Sequence, residues 1–184
     1  GIRSKPVTAP RADAAAPDGP RSLADPAWRR GYARLADFDL SYDLRVPCWH
    51  LAEAAAMIEK HPEIPVVVNH LGFPWDRSDD GLALWRDQMR AIARLPWVHL
   101  KVSELGLKDR PWSAEENRRV VMEAVEIFGT GRCMWASNFP VAGLRVGYRE
   151  QVTAMLAMFD GFTAGERRAL FHDNAARFYR LDAG

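Results

Sequence analysis

Pro65-Val66-Val67-Val68-Asn69-His70-Leu71-Gly72-Phe73-Pro74 decides how this chain is read. Three consecutive valines suit a strand buried on both faces, the condition of parallel sheets covered by helices. The apolar run stops at Asn69-His70 and breaks into Leu-Gly-Phe-Pro. A titratable residue at the C-terminal end of a buried parallel strand is where α/β barrels carry chemistry. A second stretch repeats the pattern, with Cys133-Met134-Trp135-Ala136-Ser137 leading to Asn138 and then Phe139-Pro140. His70 and Asn138 are therefore the first two candidate site residues.

The rest of the chain alternates around these strands. The spacing predicts a helix over 26–36, a strand over 38–45, a helix over 49–60 and the valine strand over 65–70. A helix follows over 79–95, with Leu82, Trp85, Met89, Ile92 and Ala93 at helical spacing, and then a strand over 98–103. Ser113-Ala114-Glu115-Glu116 and Thr163-Ala164-Gly165-Glu166 are capping-box patterns, opening helices that run to Phe128 and to about Arg180. The strand over 132–138 and a helix over 147–159 complete the series. Ser4–Asp25 is a long Ala/Pro-rich loop expected to have no structure of its own. Strict alternation with short connections predicts a parallel α/β architecture. No Gly-rich phosphate loop follows any strand, which disfavours a nucleotide-binding open sheet. The polar strand ends favour a (β/α)8 barrel, although only four full strands and a stub at Gly1-Ile2-Arg3 are present against the eight such a barrel needs.

Composition narrows the function. The chain has 184 residues, 48% hydrophobic and 27% charged, with a net charge of +1. That balance supports a real core and gives no charge excess directed at nucleic acid or an acidic membrane surface. No apolar run approaches the ~20 residues of a membrane span, and no leader pattern opens the chain. Cys48 and Cys133 sit in or beside apolar segments and read as buried thiols of a reducing compartment, with the cytoplasm as default.

Asn69-His70-Leu71-Gly72, Leu100-Lys101-Val102-Ser103, Ala136-Ser137-Asn138-Phe139-Pro140-Val141 and Phe171-His172-Asp173-Asn174-Ala175-Ala176-Arg177-Phe178-Tyr179, in this order, resemble the amidohydrolase-related family and its branch of sugar and dicarboxylate lactonases. Gly1-Ile2-Arg3 resembles that family's fourth-strand segment. The resemblance implies a metal-dependent-hydrolase type of TIM barrel, with residues 1–184 as its C-terminal part, about strands four to eight. His70 would end strand six and Asn138 strand eight. The first three strands, with a His-x-His pair on the first, would lie outside these residues, and the chain alone would be inactive and poorly soluble. The implied activity is hydrolysis of a lactone or similar carbonyl ester by activated water. Decarboxylation of an aromatic acid and a non-catalytic binding barrel are the alternatives. A divalent metal such as Zn, with His70 as a ligand, and metal-free catalysis are both compatible with it. The implied partner is a small-molecule substrate, with a homo-oligomer left open.

Chemistry assigns roles to further residues. Neutral imidazole at His70 can polarise a carbonyl or ligate a metal. The resemblance would place aspartate at Asn138, and asparagine cannot accept a proton, though it can orient a water or donate to an oxyanion. Asp43 and Arg45 leave their strand on the face of Ser41, where Arg45 could grip a substrate carboxylate or the two could form a rim ion pair. Lys101 and Ser103 share a face and are counted with them as substrate-binding candidates, with Asp39 or Asp43 as alternative ionic partners for Lys101. Trp49, Trp75 and Trp112 follow strand ends and could stack on a ring. His99 reads as barrel filling, His50 and His61 as solvated helix ends, and His172 as part of a docking helix.

Overall fold

The computed structural model describes residues 1–108 and 110–181. The chain forms two compact units, Gly1–His99 and Leu100–Gly184.

In the first unit, α1 (Pro26–Ala33) precedes β1 (Tyr42–Leu44), α2 (Leu51–Ile58), β2 (Val66–Val68) and α3 (Asp79–Ala93). β1 and β2 pair in parallel, with Tyr42 against Val66 and Leu44 against Val68. All three valines are buried, as a strand covered on both faces requires. Ile2 bridges Tyr42 in parallel, so the stub joins β1 as a further short strand contact. α3 begins where the Ser78 hydroxyl accepts the Gly81 amide, with Asp79 and Asp80 in the first turn favouring its positive end. Its Leu82, Trp85, Met89 and Ile92 are buried, and it packs against α2, whose Leu51, Ala54, Ala55 and Ile58 are buried as well.

In the second unit, β3 (Val98–Val102), which begins at the unit boundary, is followed by α4 (Ala114–Phe128), β4 (Cys133–Trp135), α5 (Tyr148–Met158), α6 (Ala164–Arg168) and α7 (Asn174–Tyr179). β3 and β4 are parallel, with Leu100 against Cys133 and Val102 against Trp135. Ser113 caps α4, and Gly129, at φ +80°, ends it in a conformation that a side chain would disfavour. Thr163 and Glu166 form a complete capping box on α6. Asn174 anchors the C-terminal segment by donating to the carbonyls of Thr130 and Cys133, both at 2.7 Å.

Two expectations need correction, and one helix gains a detail. The strand predicted over 38–45 shrinks to Tyr42–Leu44, because Ala36–Phe38 is a 3-10 turn and Asp39 is left-handed at φ +50°. Its period-two alternation was a coincidence of a turn and a fully buried strand. The helix predicted from Thr163 to about Arg180 runs on to Tyr179, with one π-helical turn at Ala169–Asp173 inside it. The Ala/Pro-rich loop carries structure: Val7 bridges Ser22 in parallel, and Ala9, Ser22 and Leu23 are buried. The four strands and the Ile2 bridge agree with the predicted order. Among the described residues no helix is long and apolar enough to cross a membrane.

Both cysteines are free and buried. Burial pushes the Cys48 thiol up to about 11 and the Cys133 thiol up to about 12. Burial also raises the Tyr32 and Tyr42 hydroxyls. An unfolded thiol ionises near about 8.5, so above that pH the unfolded chain binds fewer protons than the folded one. Stability therefore falls as pH climbs from about 8.5 towards these raised values, and the tyrosines add the same sign above about 10. Urea midpoints should drop between pH 7.5 and pH 10, and the native thiols should resist a disulfide reagent at pH 8 until denaturant is added.

Candidate functional site

The first candidate region grows from the end of β2. Asn69 is fully buried, donates from Nδ2 to the Leu44 carbonyl at 3.1 Å, and accepts from Arg3 at 3.2 Å. The same Arg3 nitrogen donates to Asp43 at 2.9 Å, so the stub, β1 and β2 are joined by one guanidinium. The chain then passes through His70, Leu71, Gly72 and Phe73, all at positive φ between +55° and +64°. For non-glycine residues such conformations cost about 1–3 kcal/mol each and persist only where surrounding contacts hold them. Here Gly72 donates to the Asn69 carbonyl at 3.1 Å, Phe73 to that of His70 at 2.8 Å, and the fully buried Trp85 indole to that of Leu71 at 2.7 Å.

His70 is buried, its ring 5.1 Å from Phe73 in an edge arrangement. The Arg45 guanidinium lies 4.9 Å over the Phe73 ring. Trp75 packs on Phe73 at 4.8 Å and on Trp49 at 6.1 Å. His70, Arg45, Trp49 and Trp75, each a sequence candidate, thus gather around Phe73, which sequence reasoning passed over. Asp43 is held by Arg3, so the Asp43–Arg45 rim pair gives way to an Arg3–Asp43 pair and an Arg45–Phe73 stack.

His50 was expected in solvent and is buried instead. Its Nε2 accepts the Ala9 amide at 2.8 Å, which leaves the proton on Nδ1 to donate to Glu53 at 2.7 Å. Trp49 donates to the Ala9 carbonyl at 3.2 Å. Both backbone polar groups of one loop residue are therefore satisfied by the turn after β1. The reason was invisible locally: the partner lies in the Ala/Pro-rich segment. His61, also expected in solvent, is half-buried beside Glu63 with its ring edge-on to Tyr32 at 5.7 Å.

The second region lies beyond β3 and β4. Lys101 is half-buried with Nζ 5.1 Å over the Tyr179 ring, and Ser103 is buried just past the strand. Asp39, one of the two carboxylates considered for Lys101, sits in a left-handed turn outside any strand. Asn138 follows β4 at φ +54° and donates from Nδ2 to the Glu104 carboxylate. Glu104 follows β3 at φ +51° and also receives Arg145, at 3.3 Å. Glu104 and Arg145 were missed by sequence reasoning. The available signal was the acidic residue directly after the Lys101–Ser103 strand. Trp112 is half-buried, with its indole N–H unpartnered among the described residues. His172 is exposed on the π-helical turn, paired with Asp173 at 2.8 Å. Among the described residues no three His, Cys, Asp or Glu side chains gather as a metal-binding group.

Comparison with known proteins identifies the family and the fold. The family described as Amidohydrolase matches residues 11–181. The "Uncharacterized protein y4mH" of Sinorhizobium fredii is 39% identical over 88% of this chain and 54% of its own length. An L-fucono-1,5-lactonase of Burkholderia multivorans is 33% identical over 88% of this chain and 58% of its own length. Crystal structures of an amidohydrolase from Burkholderia multivorans, one with bound HEPES and one with bound Zn, match at TM-scores of 0.80 and 0.78, with 32% and 31% identity, each over 86% of this chain and 59% of theirs. The chain belongs to the amidohydrolase family, and its parallel strands and helices are an incomplete portion of that family's (β/α)8 barrel. It spans 54–58% of the length of the curated relatives compared here.

Replacing His50 by Ala strands the Ala9 amide and should lower stability by about 1–3 kcal/mol. It should also speed tryptic cleavage at Arg11. Denaturant titration and a proteolysis time course, against the unaltered chain, measure the two effects.

Proposed function

We propose that the protein carrying this chain hydrolyses a lactone or a similar carbonyl ester with activated water. The observation that carries the reading is the 33% identity, over 88% of the chain, to a protein named L-fucono-1,5-lactonase. The chemistry of the strand ends supports it. Hydrolysis needs a donor or cation at the carbonyl oxygen, an oriented water, and a proton for the leaving oxygen. In this reading the buried His70 imidazole polarises the carbonyl, and Asn138 orients the water or the developing oxyanion. Arg45, held over the Phe73 ring, takes a carboxylate of the substrate. Asp43, Lys101 and Ser103 complete the substrate contacts, with Asp43 kept in place by Arg3.

A related structure is described with bound Zn, and His70 is the residue of this chain that would ligate such an ion. The described residues do not by themselves form a complete donor set, and no step here is routed through a metal. Elemental analysis of the purified natural gene product decides its metal content.

Against a panel of sugar and dicarboxylate lactones, His70→Ala in the natural full-length gene product should lower kcat about 10²–10⁴-fold. Unchanged turnover, or release of carbon dioxide from aromatic acids in place of lactone opening, overturns the reading. Arg45→Gln should raise KM for an anionic lactone about 10-fold or more, with a smaller change for a neutral one, since a hydrogen bond to a charged group is lost. Steady-state kinetics on a matched pair of substrates reads this directly.

A further inference from the structure

Ester hydrolysis by water needs a group that takes the water's proton, and a carboxamide at Asn138 has no atom basic enough to do so. We propose that Glu104 is the general base of this site, with Asn138 and Arg145 as its positioning residues. The proposal rests on the hydrolase reading above.

The placement follows from the sheet. β3 and β4 run parallel, so their chains leave at the same end, and the Ala136 amide donates to the Val102 carbonyl at 3.1 Å, carrying the alignment one residue past β4. Glu104 stands two residues beyond β3 and Asn138 three beyond β4. Asn138 Nδ2 donates to one Glu104 oxygen and Arg145 to the other, at 3.3 Å. The contact also settles the amide's orientation, because its oxygen would be repelled there. Each carboxylate oxygen keeps an acceptor position for a water, and Asn138 Oδ1 can accept that water's second hydrogen.

Two details distinguish this from an ordinary ion pair. Both Glu104 and Asn138 adopt left-handed backbone, which glutamate disfavours and glycine would accept without strain. Gly106 is also specifically bare: a Cβ there would meet Arg145 Cδ at 2.2 Å, so its absence lets the arginine reach Glu104. Among the described residues of this unit, the other carboxylates lie on helices or in the turn after one.

In the step assigned here, a Glu104 oxygen takes a proton from water while the water oxygen bonds to the lactone carbonyl carbon. When the ring C–O bond breaks, that proton passes from Glu104 to the departing oxygen. The product is the open hydroxy acid, and the carboxylate is restored.

The test uses the natural full-length gene product and a lactone it turns over. Glu104→Gly suits the left-handed backbone and should remain folded, which a thermal melt checks. It should lower kcat at least 100-fold with KM within about threefold. Added formate or azide should restore at least 10-fold of that loss in a concentration-dependent way. Glu104→Gln combined with Asn138→Asp, which moves the carboxylate to the adjacent strand end, should recover at least 10-fold over Glu104→Gln alone and regain an acid limb in its pH profile. A Glu104→Gly kcat within threefold of the unaltered enzyme overturns the assignment. So does a loss that neither formate, azide nor the relocated aspartate repairs. Absence of lactone turnover by the unaltered protein overturns the hydrolase reading and this assignment together, whereas an active parent with an unaffected variant removes the assignment alone.

Discussion

The chain leaves three of its parallel strands through left-handed residues that are not glycine. His70, Leu71 and Phe73 follow β2, Glu104 follows β3, and Asn138 follows β4. A buried parallel strand cannot continue past the sheet without exposing apolar side chains, and a short connection leaves no room for a wide bend. The backbone turns at once, in conformations that carry strain. That constraint puts polar side chains at the strand ends, and most of the neighbouring contacts serve to hold the turns. Trp85 gives its indole proton to the Leu71 carbonyl, and Asn69 and Arg3 tie the entrance of the same turn to β1.

The two regions satisfy their charges differently. Near β1 and β2, Asp43 is paired with Arg3, while the Arg45 guanidinium lies over the face of the Phe73 ring. A guanidinium stacked in this way is pre-organised for an anion and loses little freedom on binding one. Beyond β3 and β4 the organising charge is negative, with Glu104 gripped by one amide and one guanidinium. Each unit thus carries its own charged strand end, one organised around two guanidinium groups and the other around a carboxylate.

Family membership carries the fold, whereas the reaction is carried by individual side chains. A barrel of this kind tolerates exchange at its strand ends, because those residues contribute little to the core. Here an asparagine at one strand end and a carboxylate at the next stand within one hydrogen bond of each other.

The valine run, the capping patterns of α4 and α6, the strand order and the family motifs were legible from local sequence, since periodicity and caps act within a few residues. His70 and Asn138 were legible as strand ends for the same reason. What stayed hidden were contacts between distant segments. Arg3 reaches Asn69 across 66 positions, His50 reaches Ala9 across 41, and Asn138 reaches Glu104 across 34. The π-helical turn within the last helix was hidden too, because nothing in its composition marks it. By itself the sequence determined which segments are strands and helices, where their polar ends fall, and the family they belong to. Only the tertiary structure decided that Asp43 belongs to Arg3, that His50 is buried, and that a carboxylate stands against Asn138. Hydrogen bonds and ion pairs between remote residues depend on strand register and backbone turns in space, and no local pattern of the chain encodes those distances.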